Sequence, residues 1–151
     1  MKRSALRVVV AFGGSAAAAI VGDLGSRRAP EIYDELDKPS WAPPAGAFAP
    51  VWSLLYATMA VAAWRLSRTG ARTPLMLHGA QLVLNAAWPS AFFARRSRRA
   101  SLTIIVALDV AVAAEIASAR RHDRVASALL APYLAWTLYA TALNYAVGRS
   151  D

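Results

Sequence analysis

The sequence has no cysteine, which removes disulfides, a thiol nucleophile and thiolate metal sites. It has only two histidines, His78 and His122, and no dense cluster of carboxylates, so no metal-ligating set is expected. Charge is scarce: 17% of its 151 residues are charged and 57% are hydrophobic, with positive mean hydropathy. Such a chain is too apolar for an ordinary soluble domain, although its length suits a single one. The charge that exists is mostly basic, for a net +8. Its arginines lie in short clusters between apolar runs, as in Arg95-Arg96-Ser97-Arg98-Arg99 and Arg120-Arg121. Loops beside membrane helices have this pattern, facing anionic headgroups. No recognition-helix or stacking-platform pattern accompanies them, so the bilayer is the expected partner and nucleic acid is not.

Five apolar runs follow one another, at about residues 5–22, 48–66, 74–94, 101–119 and 125–147. Each is near the roughly 20 residues that cross a bilayer core, and lipid forbids unpaired backbone, so each should be a helix. The expectation is an all-α integral membrane protein, one multi-pass domain over 1–151. Five transmembrane helices would form a bundle, with a structured loop at 23–47 acting as a lid. A basic start before an Ala-rich core also has the form of a signal peptide; a retained first helix is favoured because that loop has work to do. Short connections after the first make consecutive helices antiparallel neighbours. Within the loop, Pro39, Pro43 and Pro44 leave no regular element at 38–47, and Pro50 suits the first turn of the second helix.

Polar side chains inside a span are expensive and turn towards the bundle interior. On the third helix His78, Gln81, Asn85 and Trp88 form one stripe; on the fifth, Tyr133, Trp136, Ala140 and Asn144 do so; on the second, Trp52, Tyr56, Met59 and Ala63 share a face. Brought together, these faces would line an apolar pocket with a few hydrogen-bond groups, the make-up of a small-molecule site. Asn85 and Asn144 would also serve as bridges between helices. His78 is expected as an interfacial or packing residue near a helix end. Asp109 and Glu115, six positions and about 120° apart around one helix, do not converge on one substrate atom. Asp109 should accept interior hydrogen bonds or meet a loop arginine, and Glu115 should reach for the nearby end of its helix. No catalytic group is expected.

Four motifs point further: KPSWAPP at 38–44, PVWSLLY at 50–56, LNAAWPSAFF at 84–93 and PYLAWTLYATALNYAVGR at 132–149. In this order they resemble the TspO/MBR family of tryptophan-rich sensory and translocator proteins. The resemblance implies a five-helix bacterial-membrane bundle, commonly homodimeric, that binds porphyrins (protoporphyrin IX or haem) and sterols. The implied pocket falls on Trp52, Tyr56, Asn85, Trp88, Trp136, Ala140 and Asn144, with Phe48 beside it and Trp41 in the lid. A sterol-recognition pattern would fall on Leu143, Tyr145 and Arg149. Departures from the family pattern are Ile32, Gly46, Ala86 and Gly148, each where a tryptophan is usual.

The resemblance implies a membrane receptor or carrier for flat hydrophobic ligands, with a regulatory or tetrapyrrole-handling role. One alternative is light-dependent oxidative breakdown of bound porphyrin, against which the loss of a loop tryptophan at Ile32 counts. Another is a stress-regulatory scaffold with no small-molecule affinity.

Overall fold

The computed structural model describes residues 2–25 and 27–147, with side chains from Ala5 onward. The described residues are helical, without strands. They form α1 (Lys2–Gly25), α2 (Ala29–Glu35), α3 (Phe48–Thr69), α4 (Arg72–Pro89), α5 (Arg98–Ala119) and α6 (Arg124–Val147). A 3-10 turn at Ala45–Ala47 leads into α3, and a π-helical turn at Ser90–Ala94 continues α4. Four stretches are long and apolar enough to cross a membrane: Ala5–Gly25, Ala45–Thr69, Arg98–Ala119 and Arg124–Val147. The third of the five expected spans, now α4, is not among them, because His78, Gln81 and Asn85 dilute its apolar character.

The long helices close into a ring in which α1 packs on α3 and α4, α5 packs on α4 and α6, and α6 returns to α3. Adjacency of consecutive helices therefore fails at one place. Although only Gly70 and Ala71 join them, α3 and α4 pack less on each other than α1 packs on either, and long side chains such as Tyr56 and Gln81 bridge them. Gly70 makes that reversal possible by adopting φ 76°, a left-handed conformation that costs glycine little. The apolar centre is built by Leu55, Met59 and Leu66 from α3, Leu108 and Val112 from α5, and Leu130 and Tyr133 from α6. The outer surface is equally apolar, with Val9, Leu54, Met76, Val83 and Val110 all exposed. In water this would be a liability; in a bilayer it is the required exterior.

The connections differ from expectation in two places. The lid is partly helical: Pro30 sits in the first turn of α2, where its missing N–H costs little, and Ala45–Ala47 form a 3-10 turn where no regular element was expected. The run expected to stay helical to Ala94 changes its winding after Pro89. Arg95 N donates to Ser90 O at 2.9 Å, a five-residue reach, and Arg96 ends the turn with φ 48°. Near this point α1 comes unusually close. A Cβ on Gly25 would lie 2.5 Å from Ser90 Oγ and 3.0 Å from Ser90 N, so no larger residue fits without displacing the turn.

Polar contacts fasten the corners. Arg65 Nε and Nη2 donate to the two carboxylate oxygens of Asp123 at 2.9 and 3.2 Å, a two-pronged pair. Asp123 also accepts from Val125 N and Ala126 N, capping α6. The Ala126 amide, together with Arg65, holds its carboxyl below the usual carboxylate range. In the lid, Tyr33 donates from its hydroxyl to Pro43 O at 2.8 Å, while Lys38 Nζ donates to Tyr33 O at 2.6 Å. Burial, with Tyr139 and Asp34 nearby, pushes the Tyr33 hydroxyl up.

Candidate ligand cavity

A cavity of about 550 Å³ opens between α1, α3, α4 and the lid. Trp52 and Tyr56 come from α3, Asn85 and Trp88 from α4, and Phe93 from the π-helical turn. The lid contributes Pro30 and Tyr33, and Phe48 lies at the foot of α3. The remaining wall is α1, through Ala19, Ile20, Gly22 and Asp23. Small side chains on α1 create this room: a Cβ on Gly22 would come within 3.7 Å of the Tyr56 hydroxyl.

Several of the rings at the cavity meet edge to face, one of the arrangements their quadrupoles prefer. Phe48 meets Tyr33 at 5.1 Å and Trp136 at 5.9 Å between centroids. Trp52 meets Tyr133 at 6.2 Å and Trp136 at 6.5 Å, and Trp88 stacks on Phe92 at 5.3 Å. The indole N–H groups of Trp88 and Trp136 are buried without a partner among the described residues. A buried donor left unpaired costs free energy that a ligand carbonyl or carboxylate would recover.

The structure brings Phe48, Trp52, Tyr56, Asn85 and Trp88 together on this cavity. It places Trp136, Ala140 and Asn144 elsewhere, along a narrow crevice of about 20 Å³ behind Phe48. Asn144 there exchanges hydrogen bonds with Ser101 at 3.2 and 3.3 Å, joining α6 to α5. Trp41 lies outside the cavity wall, 47% exposed, with its ring on Tyr139 and its carbonyl accepting from the Tyr139 hydroxyl at 2.8 Å. In the sterol-type pattern Leu143 is buried, Tyr145 is exposed with the Arg98 guanidinium 5.7 Å from its ring, and Arg149 lies outside the described residues.

A chain of hydrogen bonds runs inward from the cavity. Tyr56 donates to Asn85 Oδ1 at 2.5 Å, Asn85 Nδ2 to the Tyr133 hydroxyl at 2.8 Å, and Tyr133 to Gln81 Oε1 at 2.9 Å. Gln81 Nε2 stands 3.3 Å from His78 Nδ1, and the same nitrogen is 2.7 Å from Glu115 Oε1. Here one expectation fails. Glu115 does not reach for its helix end: it is completely buried and meets His78 across the α4–α5 contact. His78, expected as an interfacial or packing residue, is a packed interior one, at 5% exposure. In lipid or a packed bundle such groups pair with one another, and the nearest partner lay on a neighbouring helix. Asp109 does accept an interior bond, from Thr141 at 2.7 Å.

Sequence reasoning missed the α1 wall, Tyr33 and the His78–Glu115 pair. The stripe on α4 had already put His78, Gln81 and Asn85 on one face, which was the available signal.

The TspO/MBR family model matches residues 6–149. The chain belongs to the TspO/MBR family. It is 37% identical to the translocator protein of Sus scrofa over 125 residues, 79% of this chain and 74% of that protein. Against the tryptophan-rich protein TspO of Chlorobaculum tepidum it is 35% identical over 136 residues, covering 84% and 86%. The tryptophan-rich sensory protein of Cereibacter sphaeroides is 35% identical over 120 residues, covering 79% and 76%. Family membership and the four apolar helices make this TspO protein a multi-pass integral membrane protein.

Proposed function

We propose that this TspO-family protein is a membrane receptor or carrier for flat, largely apolar ligands of the porphyrin type. The observation that carries the reading is the cavity itself. Its volume lies within the roughly 300–1,000 Å³ of small-molecule sites, and Trp52, Trp88 and Phe48 offer aromatic walls beside the Tyr56–Asn85 polar pair. A macrocycle slid between these rings gains stacking beyond area burial, and its carbonyl or carboxylate edge meets the unpaired Trp88 N–H. In this reading all five long helices cross the membrane. The polar stripe of α4 is turned inward, and its outer residues Met76 and Val83 are apolar and exposed. Homodimerisation belongs to the same reading, through the exposed small residues Ala107, Ala113 and Ala117 on α5.

Titration with protoporphyrin IX, read by quenching of tryptophan fluorescence, tests the proposal. Saturable quenching that weakens in Trp52→Ala and persists in Trp41→Ala supports it. Absence of saturable quenching, or equal effects of the two substitutions, counts against it.

A further inference from the structure

Among the described side chains, the two ends of the bundle carry equal numbers of cations and very different numbers of anions. At the lid end, residues 23–38 and 95–99 include seven basic side chains. At the opposite end, Arg7 with residues 65–72 and 120–124 supplies seven more. Five carboxylates, Asp23, Glu31, Asp34, Glu35 and Asp37, stand among the first set, and Asp123 alone among the second.

The lid carboxylates are used locally. Glu31 pairs with Arg28 at 3.4 Å, Asp34 with Lys38 at 3.8 Å and Glu35 with Arg96 at 3.3 Å. Exposed pairs of this kind add little stability, but each sets an anion beside a cation and weakens the field that this end presents. At the opposite end Asp123 is spent on Arg65 and on the amides that begin α6. Arg68, Arg72, Arg120, Arg121 and Arg124 are exposed, with no carboxylate partner among the described residues.

These five cations form one surface with an apolar rim. The Arg65–Asp123 pair joins the end of α3 to the α5–α6 turn, and Arg72 opens α4 just beyond the α3 end. Val125, 52% exposed, adjoins Arg124, and Met76, 74% exposed, lies one turn along α4 from Arg72. The Arg68 guanidinium stands 5.1 Å from the centre of the Trp64 ring, and tryptophan is the residue that bilayer interfaces favour. A phosphodiester headgroup over this surface meets guanidinium forks that match its geometry, while its acyl chains lie against the exposed valine and methionine. A soluble anion would gain the charge and forgo the apolar contact.

We propose that the end of the bundle opposite the lid is a binding surface for anionic phospholipids, which it selects over zwitterionic ones, and that the lid end has no such preference. The selection comes from charge placement rather than from the number of basic residues, which is the same at both ends. It is independent of what the cavity holds.

A tryptophan stands at each end to report on it: Trp64 on the basic surface and Trp41, 47% exposed, on the lid. The full chain is reconstituted in mixed vesicles of phosphatidylcholine and phosphatidylglycerol. One lipid or the other is brominated near the headgroup end of its acyl chain, since bromine quenches indole fluorescence on contact. The signal of each reporter is taken by difference from Trp64→Phe and Trp41→Phe. At low salt Trp64 should favour phosphatidylglycerol by about fivefold, the worth of one basic side chain near an anionic surface. Trp41 should show no preference. The preference at Trp64 should vanish when Arg120→Gln, Arg121→Gln and Arg124→Gln are combined, and survive when the same three are Arg→Lys. It should also vanish at about 1 M salt, where screening acts within about 3 Å. Equal quenching of Trp64 by the two lipids, or an equal preference at Trp41, overturns the proposal. So does a preference that outlasts the three glutamine substitutions or, should that variant not fold, one that outlasts high salt.

Discussion

The two ends of the α3–α4–α6 interior are built on opposite principles. At the lid end, Phe48 meets Tyr33 and Trp136, Trp52 meets Trp136 and Trp88 meets Phe93 through ring edges, and the cluster leaves a cavity and unpaired indole donors. Towards the other end, His78, Glu115, Gln81 and Tyr133 leave no comparable space and are joined by directed bonds. Dispersion between rings tolerates a guest, since each contact is weak and replaceable. Buried charge-bearing groups do not, since removing one partner strands the other. The difference teaches where this bundle can adapt and where it must stay fixed.

Substitutions should expose that contrast. Glu115→Ala leaves the buried His78 without its partner and should cost about 3–5 kcal/mol, read as loss of thermal stability in detergent. A cost equal to that of Asn144→Ala, expected near 1 kcal/mol for a helix-bridging amide, would erase the distinction. Tyr133→Phe interrupts the chain at its middle and should cost about 1–3 kcal/mol. Trp52→Ala, at the adaptable end, should lower ligand affinity by about tenfold while moving the melting temperature less than Tyr133→Phe does.

The smallest effect lies outside both regions. The Asp123 carboxyl is held below its ordinary range by the Ala126 amide and then by Arg65. A depressed carboxyl stabilises the fold above the ordinary pKa of about 4 and loses that contribution as pH falls through the folded value. Asparagine keeps the cap acceptor, so thermal melts of Asp123→Asn should lie below those of the unmodified protein at neutral pH by the worth of the Arg65 pair, about 0.5 kcal/mol. The two should converge in acid.

Much of this was legible from residues. The stripe of His78, Gln81, Asn85 and Trp88 declared an inward face because period 3.6 and intramembrane polarity agree. What escaped was pairing between helices. His78 and Glu115 lie 37 positions apart, and no one-helix pattern connects them. The cavity's third wall escaped for a different reason: Ala19 and Gly22 on α1 contribute space rather than atoms, and a search for aromatic or polar groups passes over residues whose role is to be small. The π-helical winding after Pro89 lies where Gly25 comes close to Ser90, and that approach is a matter of tertiary position.

The placement of α1 between α3 and α4 has a consequence for assembly. Although two residues join them, α3 and α4 have little surface for one another. α1 fills the gap they leave. The guest chamber lies along that seam, so it comes into being only once the N-terminal stave has been seated. A shortened chain lacking α1 would keep most of its rings and have no room to hold anything between them.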